Sequence, residues 1–192
     1  MLSDQIPWFR QIRRASTLGL TVNVALFIIG TSHTLQCATA GTDDSKVAAF
    51  EAELRRVCEE HQIVRIAEEM SEAGLAHQSV ECTVGAGVAK ALRIEHHHVD
   101  LEPEERAALS LDDGPMLNII LHRDFPDCGG TFRNAFDALG DAVRERCWIG
   151  RMLARKQWPT LFVCGADHTN SVEQLWRSLG LPVSVVHRDY EP

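Results

Sequence analysis

The sequence predicts an α/β fold: a mainly parallel, open sheet flanked by helices, forming a single domain over residues 20–192. Three observations predict it. Short apolar runs rich in β-branched residues alternate with stretches whose apolar positions recur at helical spacing, the signature of repeated βαβ units. Turn-forming residues punctuate the runs, as at Asp112-Asp-Gly-Pro115 and Cys128-Gly-Gly130. Two of the apolar runs also end in one phrase, Gly30-Thr-Ser-His33 and Gly165-Ala-Asp-His168.

Along the chain, residues 1–19 lack periodicity and read as a loose extension. Residues 21–29 form the first strand. Ser45 to His61 is an amphipathic helix, with Val47, Phe50, Leu54 and Val57 on one side and Glu and Arg on the other. Ile63 to Ala67 is the second strand, ending at Glu68 and Glu69. Two shorter helices follow, Glu72 to His77 and Cys82 to Leu92; the second is rich in small residues that allow close approach to a sheet. A third strand runs from Glu95 to Leu101, and Pro103 opens a short helix, proline being suited to a first turn. Residues 109–130 are irregular, apart from an apolar run, Met116 to Leu121, that suits helix or strand. Thr131 to Gln157 reads as one long helix with Phe132, Phe136, Leu139, Val143 and Cys147 on one stripe. Strand Thr160 to Cys164, helix Ser171 to Leu179 and strand Val183 to His187 complete the chain.

Bulk properties narrow the function. At 192 residues the chain is long enough for a substantial core, and 45% hydrophobic with 24% charged residues is ordinary globular composition. A net charge of −8 without a long basic stripe argues against a nucleic-acid partner. The apolar run at Leu18 to Ile29 is too short to span a membrane. Six scattered cysteines, with no Cys-x-x-Cys pair, fit a reducing cytoplasm. Cys58, Cys147 and Cys164 fall on apolar faces as small core residues. The alternative is export: Arg10 to Arg14, Leu18 to Ile29 and Ala38-Thr-Ala40 have the order of a signal peptide. The interruptions at Thr21 and Asn23 count against it.

In a parallel sheet all carboxyl ends share one rim, and ligands bind there where the connections diverge. The predicted strands deliver His33, then Glu68 and Glu69, then Asp100, then Asp167 and His168 to that rim. Two imidazoles and several carboxylates suit either a divalent metal that lowers the proton affinity of a bound water, or a metal-free acid–base set. Glu68 and Glu69 are adjacent, so on a strand they point to opposite faces and one alone enters the site. Arg144 and Trp148, at i and i+4 on the long helix, place either an anion-binding guanidinium at the rim or a surface ion pair with Asp141 or Glu145. Trp148 reads as packing. His96-His97-His98 precedes the predicted strand end and reads as partly exposed strand. His122 and Asp124 border a segment long enough to fold over the crevice. No Gly-rich nucleotide loop, Gly-x-Ser-x-Gly elbow or His-Glu-x-x-His helix is present.

The two strand-ending Gly-x-x-His phrases, the acidic pair and the late phrase Arg144-Glu-Arg-Cys-Trp-Ile149 resemble the TraB/TIKI/erythromycin-esterase-like superfamily. Leu161-Phe-Val-Cys-Gly-Ala-Asp-His168 is the strongest match, and Ala67-Glu-Glu-Met-Ser-Glu72 is similar to small bacterial members. The resemblance implies hydrolysis of an amide or ester bond in a small molecule or peptide. It places His33, His168, Glu68 or Glu69, Arg144 and Glu145 in the site, and it implies a divalent metal held by His33, His168 and Glu68. Glu145 departs from the asparagine of the peptidase branch. The second reading on the same residues is a non-catalytic module binding a metal, haem or small ligand.

Overall fold

The structure, a computed structural model, describes residues 25–109, 111 and 129–192. Its centre is a five-stranded, all-parallel sheet in the order β3-β2-β4-β1-β5. The strands are β1 (Leu26–Thr31), β2 (Arg65–Glu68), β3 (Glu95–His98), β4 (Thr160–Gly165) and β5 (Val183–Tyr190). The helices are α1 (His33–Cys37), α2 (Asp44–Glu60), α3 (Glu72–His77), α4 (Val84–Leu92), α5 (Pro103–Ala108), α6 (Gly129–Ala154) and α7 (Thr169–Ser178), with a 3₁₀ turn at Ala166–His168.

β1 and β4 are apolar along nearly their whole length because both faces of a parallel sheet are covered, and β2 is buried throughout, with Ile66 and Ala67 between the charged Arg65 and Glu68. On one face Phe50, Leu54 and Val57 of α2 and Val88 and Ala89 of α4 pack on Ile29, Ile66, Leu161 and Val163. On the other, Trp148, Ile149 and Met152 of α6 and Val172 and Trp176 of α7 pack on Leu26, Ile28, Ala67 and Phe162. Right-handed crossovers dictate that division. Connections from β1 to β2 and from β2 to β3 run one way along the sheet, those from β3 to β4 and from β4 to β5 the other. Neighbours β1 and β4 therefore send their chains to opposite faces, which opens a crevice at their carboxyl ends.

Helix boundaries have local causes. Asp43 caps α2, Ser71 caps α3 and Thr83 caps α4, each side chain accepting a backbone N–H of the first turn. Glu102 and Glu105 form a reciprocal capping box at α5, behind Pro103. Ser32 caps α1, a single turn that the sequence pattern did not signal.

Two expectations change. The third strand stops at His98 instead of continuing to Leu101. Along α6, Leu139 is 61% exposed, while Trp148, Ile149 and Met152 are buried. Burial of Trp148, Ile149 and Met152 turns the described part of the helix, from residue 138 on, away from the predicted stripe and carries Arg144 and Glu145 to the sheet side. Cys58 and Cys164 are buried, and burial pushes the Cys58 thiol up to about 12. Among the described residues no helix is long and apolar enough to cross a membrane. Residues 1–24, Met116 to Leu121, His122 and Asp124 lie outside the described residues.

Gly30 lies where β1 meets β5 and α7. A Cβ there would stand 2.2 Å from Arg188 O and 2.2 Å from Thr169 Oγ1. Gly30→Ala is expected to destabilise the protein by about 1–3 kcal/mol through overpacking against backbone, read as a lowered urea midpoint at unchanged slope.

Candidate functional site at the carboxyl ends of the strands

The register of β1 and β4, with Gly30 beside Cys164 and Thr31 beside Gly165, brings the two Gly-x-x-His phrases alongside each other. His33 opens α1 and His168 closes the 3₁₀ turn before α7. Both imidazoles approach one carboxylate oxygen: Glu69 Oε1 is 3.8 Å from His33 Nε2 and 3.4 Å from His168 Nε2. Gly165 leaves the room between them. A Cβ built on it would stand 3.4 Å from His33 Nε2 and 3.5 Å from His168 Cδ2. Histidines 135 positions apart in sequence thus share one acid.

Glu69 is 2% exposed and held from two sides. The Gly165 N–H donates to its Oε2 at 2.8 Å, and Arg144 Nη2 donates to its Oε1 at 2.9 Å. The guanidinium reaches further. Its Nε and Nη2 grip both oxygens of Asp100, at 3.2 and 2.8 Å, and its Nη1 donates to Asp141 at 3.1 Å. Asp100 also accepts from the buried Trp148 Nε1 at 2.8 Å and from Arg106 Nη2 at 2.6 Å. Burial alone would raise the Asp100 carboxyl, but the Arg144 hydrogen bond and charge, helped by Trp148 and Arg106, outweigh it and hold the group below the usual carboxylate range. Of the alternatives read from the sequence, the ion pair with Asp141 forms, and the guanidinium is not left free for an outside anion. It binds three carboxylates of its own chain, and Asp100 anchors it.

His168 is oriented by Glu145, one turn before Trp148 on α6. The ring Nδ1–H donates to Glu145 Oε1 at 2.9 Å, and the Ser171 hydroxyl donates to the same oxygen. Trp148 packs edge-on against the imidazole, ring centroids 5.0 Å apart. Burial lowers the affinity of His168 for a proton; the Glu145 hydrogen bond and the charges of Glu69 and Asp141 overcome that, and the net direction is upward. His33 is the open member of the pair, its side chain 47% exposed against 14% for His168.

Glu68 does not belong to this group. As alternation along β2 requires, it points to the opposite face from Glu69. There Thr83 Oγ1 donates to its Oε2, and His96 Nε2 lies 2.7 Å from the same oxygen. The metal set of His33, His168 and Glu68 therefore does not assemble. Glu69 stands beside the two imidazoles in place of Glu68, with Arg144 bonded to one of its oxygens and the Gly165 N–H to the other. What converges instead is Glu68, His96 and His98, whose ligand atoms lie within 4.8 Å of one another, a group that could hold a metal ion. The apolar pattern that continues to Leu101 puts His96 and His98 inside the predicted strand rather than at its end. The alternation that paired His96 with His98 on one face was the signal that could have found them. Ser171, three residues after His168, carried no motif. No family model matches the chain, and no curated protein or solved structure matches it.

Glu145→Gln is expected to lower the His168 pKa, measurable by NMR titration of the ring proton. In the parent protein the His168 contribution to stability is fully present below about pH 6.5 and fades as pH rises through its raised folded value. Asp100→Ala leaves the Arg144 charge and the Trp148 N–H without their main partner, and is expected to cost about 3–5 kcal/mol in chemical denaturation.

Proposed function

We propose that the protein is a hydrolase that adds water across an amide or ester bond, with His168 as general base. The observation that carries this reading is the pose of His168. Its Nδ1–H is committed to Glu145, so the neutral ring presents the Nε2 lone pair to the crevice between β1 and β4. A carboxylate that fixes the tautomer and stabilises the imidazolium is the arrangement by which histidine activates a nucleophile.

The step runs as follows. His168 Nε2 takes a proton from a water, and the oxygen attacks the carbonyl carbon of the substrate. The tetrahedral species then breaks its C–O or C–N bond. The leaving group takes a proton from His33, the exposed imidazole on the other side of Gly165, or from His168. Glu69 favours the protonated form of His168, and Arg144 fixes Glu69. No step is routed through a metal at this site. The resemblance to the TraB/TIKI/erythromycin-esterase-like superfamily supports the same reaction class, and an open rim with one half-exposed histidine suits a small-molecule or peptide substrate.

The test is a panel of ester and peptide substrates assayed on the parent protein, His168→Ala and Glu145→Gln. His168→Ala is expected to lower kcat about 10²–10⁴-fold. Because the base works in its neutral form, activity is expected to rise with pH through a value above the ordinary 6.5 or so of imidazole. Glu145→Gln moves that rise to lower pH while reducing the maximum. Hydrolysis that persists in His168→Ala, or a pH profile unmoved by Glu145→Gln, contradicts the assignment. Absence of hydrolysis, with a ligand bound at His33 and His168, would favour the binding module.

A further inference from the structure

On the opposite side of β2 from the His33–His168 pair, we propose a second site: Glu68, His96 and His98 bind one divalent first-row transition-metal ion. The site is independent of the hydrolase reading, and its residues do not overlap those of the general base.

The first support is convergence. β2 and β3 pair in parallel register with Ile66 beside His96 and Glu68 beside His98. His96 and His98, two apart, share a face of β3, and Glu68 lies on that face of β2. One oxygen or nitrogen from each comes within 4.8 Å of the other two. The rings of His96 and His98 stand edge to face, 4.8 Å between centroids, so they present different edges to the common point.

The second support is unsatisfied valence. Glu68 is 0% exposed, yet its Oε1 has no hydrogen-bond partner, and the buried Nε2 of His98 has none either. A buried carboxylate oxygen without a donor is costly, and burial of charge is tolerated when it is paired or coordinates a metal. A cation between Glu68 and the two imidazoles supplies the missing partner to both atoms.

The third support lies in the groups behind the ligands. His98 Nδ1–H donates to Glu72 Oε1 at 3.0 Å, which selects the tautomer whose Nε2 lone pair faces the cluster. That carboxylate–histidine pairing is how proteins orient metal-binding imidazoles. Thr83 donates to Glu68 Oε2 and steers the carboxylate in turn. Gly85 admits it: a Cβ there would stand 2.7 Å from the Glu68 carboxyl carbon. Ion binding selects the neutral His96 tautomer with its proton on Nδ1, so that the Nε2 lone pair becomes a ligand in place of the hydrogen bond to Glu68 Oε2.

Two imidazole nitrogens and one carboxylate oxygen select zinc, cobalt, iron or nickel over magnesium and calcium, which require oxygen donors. His96 and His98 are 18% and 14% exposed at their side chains, so the ion reaches the site from solvent. Three protein ligands leave a fourth position for water, as in open zinc sites.

The test titrates chelator-treated full-length protein with Co²⁺, reading the visible absorption of the bound ion, followed by displacement with Zn²⁺. One equivalent is expected to bind saturably. His98→Ala is expected to lose the spectrum, Glu72→Gln to weaken binding about 10–100-fold, and His168→Ala to leave both unchanged. Glu72 is 81% exposed at its side chain, so Glu72→Gln remains informative even where His98→Ala unfolds. No saturable binding by the parent protein, equal affinity in folded His98→Ala, unaltered affinity in Glu72→Gln, or loss of the ion in folded His168→Ala each overturns the proposal.

Discussion

One guanidinium organises the rim. Arg144 reaches from α6 to Glu69 after β2, to Asp100 after β3 and to Asp141 on its own helix. Glu69 and Asp100 are each more than nine-tenths buried. Without a cation between them, two buried carboxylates would repel, and at least one would take up a proton. Breaking such a pair leaves an uncompensated charge whose cost exceeds what the pair itself contributes. Everything nearer to the crevice depends on that anchor: it places Glu69 beneath both imidazoles, while Asp100 also receives the indole N–H of Trp148, the ring against which His168 rests.

Much of this was legible before the fold was seen. Alternating apolar runs and helical stripes specify an α/β sheet, and placing His33 and His168 at strand ends depends only on the strands being parallel. The opposition of Glu68 and Glu69 follows from the pleat. What alternation cannot reveal is which face each acid takes, because that depends on which helices the crossovers lay on which side. Arg144 was legible as a rim residue and illegible as a fully engaged one. Its partners come from segments 44 and 75 positions away, and long-range charge pairing leaves no local periodicity.

The histidine run failed for a different reason. Val99 and Leu101 extend the apolar pattern, so the sequence predicts a β3 that reaches Leu101 with His96 and His98 in its interior. In the structure the Val99 N–H still bonds Glu68 O, but the chain then turns so that the Asp100 N–H meets Met70 O. The strand ends at His98, and its last alternating pair arrives beside Glu68. Terminal residues are where sequence patterns are least informative, and here three residues of difference separate ordinary strand from a candidate ligand set.

The borders of the sheet repay a last look. Among the described residues β3 and β5 have a neighbour on one side only, which leaves a row of backbone donors and acceptors as a template for foreign chains. β3 is four residues long and begins with an exposed glutamate; β5 carries His187, Arg188 and Asp189 before its final Tyr190, and slips register twice against β1. Brevity, ionic side chains and irregular pairing each discourage accretion of another strand. The edges of the sheet thus guard the molecule against amyloid-like growth.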